Sequence, residues 1–227
     1  MELREITDGV WTFEFGVRPG PGVHFPTRST ILRLDDGTVA IISPGPFDEE
    51  AADQIRQLAD QVLLIAPNMV HHLYLKQALA IFPGARVYGP RKLGVKVKSL
   101  EGLYQPLDEA EKRLSDAVEI VYLKGNSFLG ETVFFHRSSR ALVVTDFVFH
   151  MRRPFIGLTG LVLKIVGCYN RLGQSKLVRW TTKDKAAFEK SAAELKKFQP
   201  SFVIMGHGDV ITDPDQDWTP FLANYRV

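Results

Sequence analysis

The stretch Gln61-Val62-Leu63-Leu64-Ile65-Ala66-Pro67-Asn68-Met69-Val70-His71-His72-Leu73 decides the reading of the chain. Its first part is a short, nearly all-apolar run, the pattern of a strand buried on both faces. The run stops at Pro67 and is followed by two adjacent imidazoles, His71 and His72. Residues 72–82 then carry helical spacing, Pro83-Gly84 ends the helix, and residues 85–88 return as a strand. Strand, helix, strand is the unit of an α/β layer. Two further apolar strands end on groups able to hold a ligand. Residues 141–145 lead to Asp146, and residues 202–205 lead to Gly206-His207-Gly208-Asp209. Donors at the ends of buried strands occupy the place where open α/β sheets bind ligands.

Working outward, residues 3–15 alternate as a strand. Residues 29–34 and 38–43 form a hairpin about the turn Asp35-Asp36-Gly37. Asp48 is placed to cap a helix over residues 49–59, whose apolar positions are Ala52, Ile55, Leu58 and Ala59. Three more strands cover residues 118–123, 132–136 and 141–145, the last two joined by Arg137-Ser138-Ser139-Arg140. Residues 183–198 read as one amphipathic helix with Thr182 as its cap. The apolar stretch 154–168 has four readings: a packed helix, a pocket lid, a dimer contact or a contact with a membrane surface. Arg86, Arg91, Lys92, Lys96 and Lys98 read as cations protecting a sheet edge.

The bulk properties limit the classes open to the chain. With 227 residues, 45% hydrophobic and 24% charged, it is globular, and without repeats or linkers it reads as one domain over 1–227. A net charge of +2 argues against nucleic acid as a partner. The single cysteine, Cys168, excludes an internal disulfide and a multi-cysteine metal site. The charged N-terminus has no apolar signal core, and no apolar run reaches the roughly 20 residues of a bilayer span. The expectation is a cytoplasmic protein with no integral membrane segment.

The chemistry rests on imidazole and carboxylate, the donors a Zn²⁺ or Fe²⁺ site uses when thiolate is lacking. Glycines on either side of His207 let the backbone bend and approach a ligand. Each feature also has a plain structural reading. The His pair can cap a helix, Asp146 can be a turn residue, and Gly-His-Gly can be a loop. Among the other histidines, His24 lies in a turn-rich loop that overhangs the site or stays exposed. His136 bonds backbone or a carboxylate, and His150 sits in a flexible cover segment with Arg152 and Arg153.

Taken together, these segments resemble the metallo-β-lactamase superfamily, whose fold is a four-layer αββα sandwich. The resemblant segments are Ile6-Thr7-Asp8-Gly9-Val10-Trp11, the hairpin 29–43, Leu63-Leu64-Ile65, Val143-Val144-Thr145-Asp146 and Val203-Ile204-Met205-Gly206-His207-Gly208. More narrowly, residues 66–73 with Val133-Phe134-Phe135-His136-Arg137 and Ser139-Arg140 resemble a branch carried as a domain of unknown function. The superfamily motif His-x-His-x-Asp-His falls on residues 67–72. The resemblance therefore implies that Pro67, Met69 and Asn126 stand where the first metal has its histidines. His71, in the place of an aspartate, remains with His72, Asp146 and His207 for a second metal.

What this implies is one divalent ion, Zn²⁺ first and Fe²⁺ or Mn²⁺ as alternatives, on His71, His72, Asp146 and His207. Asp146 and His207 are the catalytic candidates, with Glu131 and Ser43 as helpers. The implied function is a metal-dependent hydrolase of an ester, amide, thioester or phosphoester in a small-molecule substrate, with a homodimer left open. The alternative is a catalytically inactive member of the fold that serves as a small-molecule binding or interaction module.

Overall fold

The computed structural model describes every residue except Met1, Asp36, Ser115, Arg153, Arg226 and Val227. Asp36 of the expected hairpin turn and Arg153 of the expected arginine pair thus lie outside the described residues. The chain is mixed α/β, as expected. A seven-stranded sheet runs in the order β1 (Leu3–Thr7), β2 (Val10–Gly20), β3 (Val23–Arg33), β4 (Thr38–Ile42), β5 (Gln61–Ile65), β6 (Arg86–Gly89) and β7 (Gln105–Pro106). A four-stranded sheet has β8 (Val118–Tyr122), β9 (Thr132–His136), β10 (Ala141–Val143) and β13 (Phe202–Ile204), with β10 between β13 and β9. The short pair β11 (Phe149–His150) and β12 (Leu172–Gly173) is antiparallel.

By contacts the residues divide into two compact units. The first holds Met1–Glu14, Arg28–Ile120 and His136–Ser139; the second holds Phe15–Thr27, Val121–Phe135 and Arg140–Val227. In the first, β4, β5 and β6 run parallel, with Ile41 opposite Leu64 and Leu64 opposite Val87. The helix α1 (Glu49–Leu58) starts where expected, because Asp48 accepts the Ala51 N–H at 2.9 Å, and it buries Ala51, Ala52 and Ile55. The helices α2 (Leu75–Ile81), α3 (Leu93–Lys96) and α4 (Glu111–Leu114) complete this unit. In the second, α5 (Gly157–Val166), α6 (Lys176–Thr181), α7 (Lys185–Ala193) and α8 (Pro214–Leu222) accompany a core centred on Val133, Leu142, Phe147, Phe188, Val203 and Trp218.

Several expectations needed correcting. Residues 3–15 form two strands, because Asp8-Gly9 turns the chain back on itself and pairs Thr7 with Val10; Gly9 supplies the positive φ that such a tight turn needs. Helix α2 begins at Leu75, leaving His72 in a turn. The single helix over 183–198 is shorter and is capped by Asp184, whose carboxylate accepts the Ala187 N–H at 3.0 Å. Thr182 instead closes α6 by donating to the Val178 carbonyl at 2.7 Å. The strand carrying Arg86 is no edge, since β6 pairs with both β5 and β7. Helix α8 was missed, because Pro220 interrupts its pattern, although Trp218 and Leu222 share the buried face. No helix among the described residues is long and apolar enough to cross a membrane.

His136 is buried as a structural fastener, bonding Ser139 Oγ at 2.7 Å through Nδ1 and the Arg33 carbonyl at 2.8 Å through Nε2. Burial lowers its pKa below 6.5, opposed in part by the Arg33 carbonyl. The unfolded chain therefore takes up this proton first as pH falls, and the stability the fastener contributes is lost below about 6.5. Urea unfolding of wild type and His136→Asn should show the wild-type advantage at pH 7.5 shrinking steadily as pH is lowered past that value.

Candidate metal centre

Strands β10 and β13 are parallel neighbours in register, with Val143 opposite Ile204. Asp146 and His207 each lie three residues beyond that pair, so the two strands release them at the same level. Backbone bonds carry the pairing onward: Val144 N–H donates to the Ile204 carbonyl and Gly206 N–H to the Val144 carbonyl, both at 2.9 Å. The result is a contact of 3.2 Å between His207 Nε2 and Asp146 Oδ1, with both side chains about one-tenth exposed.

The other ring nitrogen fixes the tautomer. His207 Nδ1 lies 2.8 Å from the Pro26 carbonyl oxygen, which can only accept, so Nδ1 carries the proton. In the neutral imidazole, Nε2 then presents a lone pair toward Asp146. Edge-on contacts with Phe149, at 4.9 Å between centroids, and Phe25, at 5.8 Å, hold the ring. The flanking glycine is required, as expected. Gly208 has φ +96°, and a Cβ there would lie 2.1 Å from the His150 carbonyl.

Asp146 is steadied from behind. The Glu131 carboxylate accepts the backbone N–H groups of Thr145 and Asp146, each at 2.8 Å. Burial, followed by the charge of Asp146, pushes the Glu131 pKa up to about 7. This residue was named at the sequence level only as a helper without a role; its function is to hold the turn that delivers Asp146.

In the first unit, His71 is half-buried and its Nδ1 lies 2.6 Å from Ser43 Oγ. Ser43 is in the left-handed region at φ 57°, an unusual conformation for a residue other than glycine. Asn68 shapes the approach: its side-chain oxygen accepts the N–H groups of Val70 at 2.9 Å and His71 at 2.8 Å. His72 has its pKa lowered by burial and then by the nearby Lys96 charge. Lys96 itself donates to the Met69 carbonyl at 2.8 Å.

Asn126, in the second unit, is fully engaged. Its amide nitrogen reaches the Val178 carbonyl and the hydroxyls of Thr181 and Thr182 within 3.1 Å, while its oxygen accepts the Leu129 N–H. The remaining histidines are structural or peripheral. His150 is buried in β11, not in a flexible cover segment, with Nδ1 at 3.0 Å from the Asp209 carbonyl. His24 is exposed, and its backbone N–H donates to Thr159 Oγ1 at 2.9 Å.

No family model matches the chain, and no curated protein matches it. Solved structures do. The chain aligns with DIM-1 metallo-β-lactamase exposed to ceftazidime at 14% identity and TM-score 0.60, covering 92% of this chain and 90% of that one. For TMB-1, studied for substrate and inhibitor binding, the values are 18%, 0.62, 99% and 94%. For a metallo-β-lactamase from Hirschia baltica they are 13%, 0.59, 92% and 91%. At such identities the likeness is one of fold, and the fold is that of the metallo-β-lactamases.

Replacing Glu131 by Ala strands two buried N–H groups, each worth about 1–3 kcal/mol when unsatisfied. Urea denaturation of Glu131→Ala should show a loss of about 2–5 kcal/mol, with Glu131→Gln, which keeps one acceptor, losing less.

Proposed function

We propose that this chain is a metal-dependent hydrolase that works with one divalent ion whose ligands include Asp146 and His207, with residues 1–227 acting as a single domain. The observation that carries the reading is the 3.2 Å contact between His207 Nε2 and Asp146 Oδ1, given that the Pro26 carbonyl assigns the ring proton to Nδ1. Two acceptor lone pairs brought this close repel unless a proton or a cation lies between them. A metal ligand's second nitrogen is typically held by a carbonyl in this way.

The donor chemistry fits one ion. Asp146 and His207, both in the second unit, offer a carboxylate and an imidazole, donors suited to a divalent metal. A catalytic ion keeps a position open for water or substrate, whereas a set of four protein ligands would mark a structural site. A first metal, as in two-metal relatives of the fold, is not supported. Proline and thioether are poor donors for Zn²⁺, and the Asn126 amide is used in packing. Lys96 places an ammonium on the Met69 carbonyl, where another cation would be repelled.

When bound, the ion supplies Lewis acidity that makes water a usable nucleophile near neutral pH. The protein's own groups set the geometry. Pro26 holds the His207 ring, Glu131 holds the Asp146 turn, and Ser43 bonds the His71 ring. With only one carboxylate in the set, a divalent ion would leave the site at about +1, which favours anionic small molecules or anionic transition states. Hydrolysis of an ester, amide, thioester or phosphoester fits this charge. Zn²⁺ is the preferred ion for imidazole and carboxylate donors, with Fe²⁺ or Mn²⁺ next.

A proton in place of the ion gives the competing reading, a catalytically inactive binding module. Elemental analysis separates the two. Protein expressed in metal-supplemented medium should carry about one equivalent of divalent metal, and chelation should lower its Tm by linkage. His207→Ala should lose both the metal and any hydrolysis of generic ester or phosphoester substrates, while His72→Ala keeps the metal. Metal-free wild type whose Tm ignores chelator would overturn the hydrolase reading.

A further inference from the structure

Helix α5 (Gly157–Val166) is apolar on both faces. One face buries Thr159, Gly160 and Leu163 against Phe149, Met151 and Cys168 in the second unit. Gly160 leaves room for the carbonyl of Phe155, just ahead of the helix, since a Cβ there would lie 2.2 Å from it. The other face presents Leu158, Leu161 and Ile165, at helical spacing and 47%, 53% and 58% exposed, with Ile156 beside them at 90%. A helix hydrophobic all round is normally covered on every side, so this second face calls for a partner. Helix α6 starts against the end of α5, the Lys176 side chain lying 3.6 Å from the Cβ position of Gly167, and it adds exposed Leu177 and Trp180.

The charge pattern of the same segment selects the partner. Between Asp146 and Asp184 the sequence contains no aspartate or glutamate, yet it has Lys164, Arg171, Lys176, Arg179 and Lys183 besides Arg152 and Arg153. Arg152 pairs with Asp217 of α8 at 2.5 Å. Arg171 donates to the Gly167 carbonyl at the C-terminus of α5, and Lys164 lies over the Tyr169 ring, so both cations are held at α5 itself. The chain as a whole carries only +2, and this local excess is a concentrated one. Exposed aliphatic side chains and a tryptophan bordered by cations are the composition of a surface that lies on anionic lipid. A second copy would set this basic segment against itself, which charge opposes. We propose that α5 and α6 dock the protein on an anionic bilayer surface, with the aliphatic side chains in the headgroup boundary and the lysines and arginines on the lipid charges.

The consequence for the second unit is direct. The buried face of α5 rests on Phe149, with Phe25 packed against the same cluster, and both rings touch His207. Docking would set the bilayer on the far side of α5, with the helix and the Phe149 layer between it and that imidazole. The inference stands on the exposed face and its charge, and it does not depend on the metal reading.

Sedimentation of the full chain with vesicles tests it. Phosphatidylcholine vesicles containing about one-third phosphatidylserine should carry the protein down at low salt; pure phosphatidylcholine should carry down far less. Raising the salt to about 0.5 M should cut binding at least tenfold, since exposed charges are then screened. Trp180 is 77% exposed against 7% for Trp11 and 1% for Trp218, so a blue shift on binding reports α6 entering the interface. The variant Leu161→Ser/Ile165→Ser, checked for an unchanged circular dichroism spectrum, should lose binding about tenfold or more. The proposal is overturned if wild type stays in the supernatant with anionic vesicles, if the double variant binds as well as wild type, or if analytical ultracentrifugation shows a dimer that the double variant abolishes.

Discussion

Two atoms that both prefer to accept a hydrogen bond, His207 Nε2 and Asp146 Oδ1, are held 3.2 Å apart in a nearly buried setting. Much of the surrounding structure enforces this arrangement. The in-phase ends of β10 and β13 bring the two residues to one level, the Pro26 carbonyl fixes which nitrogen carries the proton, and Glu131 holds the turn behind Asp146. Gly208 has the φ and the clearance that let the chain leave past the His150 carbonyl.

The energetics point the same way. Glu131 and Asp146 are two carboxyl groups in one buried neighbourhood, and the Glu131 pKa rises to about 7 because charge there is costly. In the proposed reading, a cation held by Asp146 and His207 would offset that cost. The positions where the sequence implied the loss of a first metal show the opposite character. Asn126 closes α6 with hydrogen bonds, and Met69 is buried with Lys96 on its carbonyl.

Much of this was legible in the residues. Apolar runs ending at Ile65, Thr145 and Met205 marked strands that deliver side chains, and the Asp48 cap fixed the start of α1 because one carboxylate and one N–H decide it locally. The Asp146–His207 pairing was expected from the same strand ends. Glu131 was less legible: its role is to accept N–H groups fourteen and fifteen residues away, which no local pattern encodes. The split of residues 3–15 at Asp8-Gly9 was readable and overlooked, whereas the Asp184 cap was hidden by an equally plausible Thr182 two residues earlier. The apolar stretch 154–168 was seen as ambiguous, and burial alone separates its packed face from its exposed one.

The measurement that bears most directly on this account is anomalous diffraction from crystals of the purified protein, collected on both sides of the zinc, iron and manganese absorption edges. One anomalous peak is expected within bonding distance of His207 Nε2 and the Asp146 carboxylate. Well-ordered density with no peak there, and a hydrogen bond closing the gap between the two side chains, would contradict it.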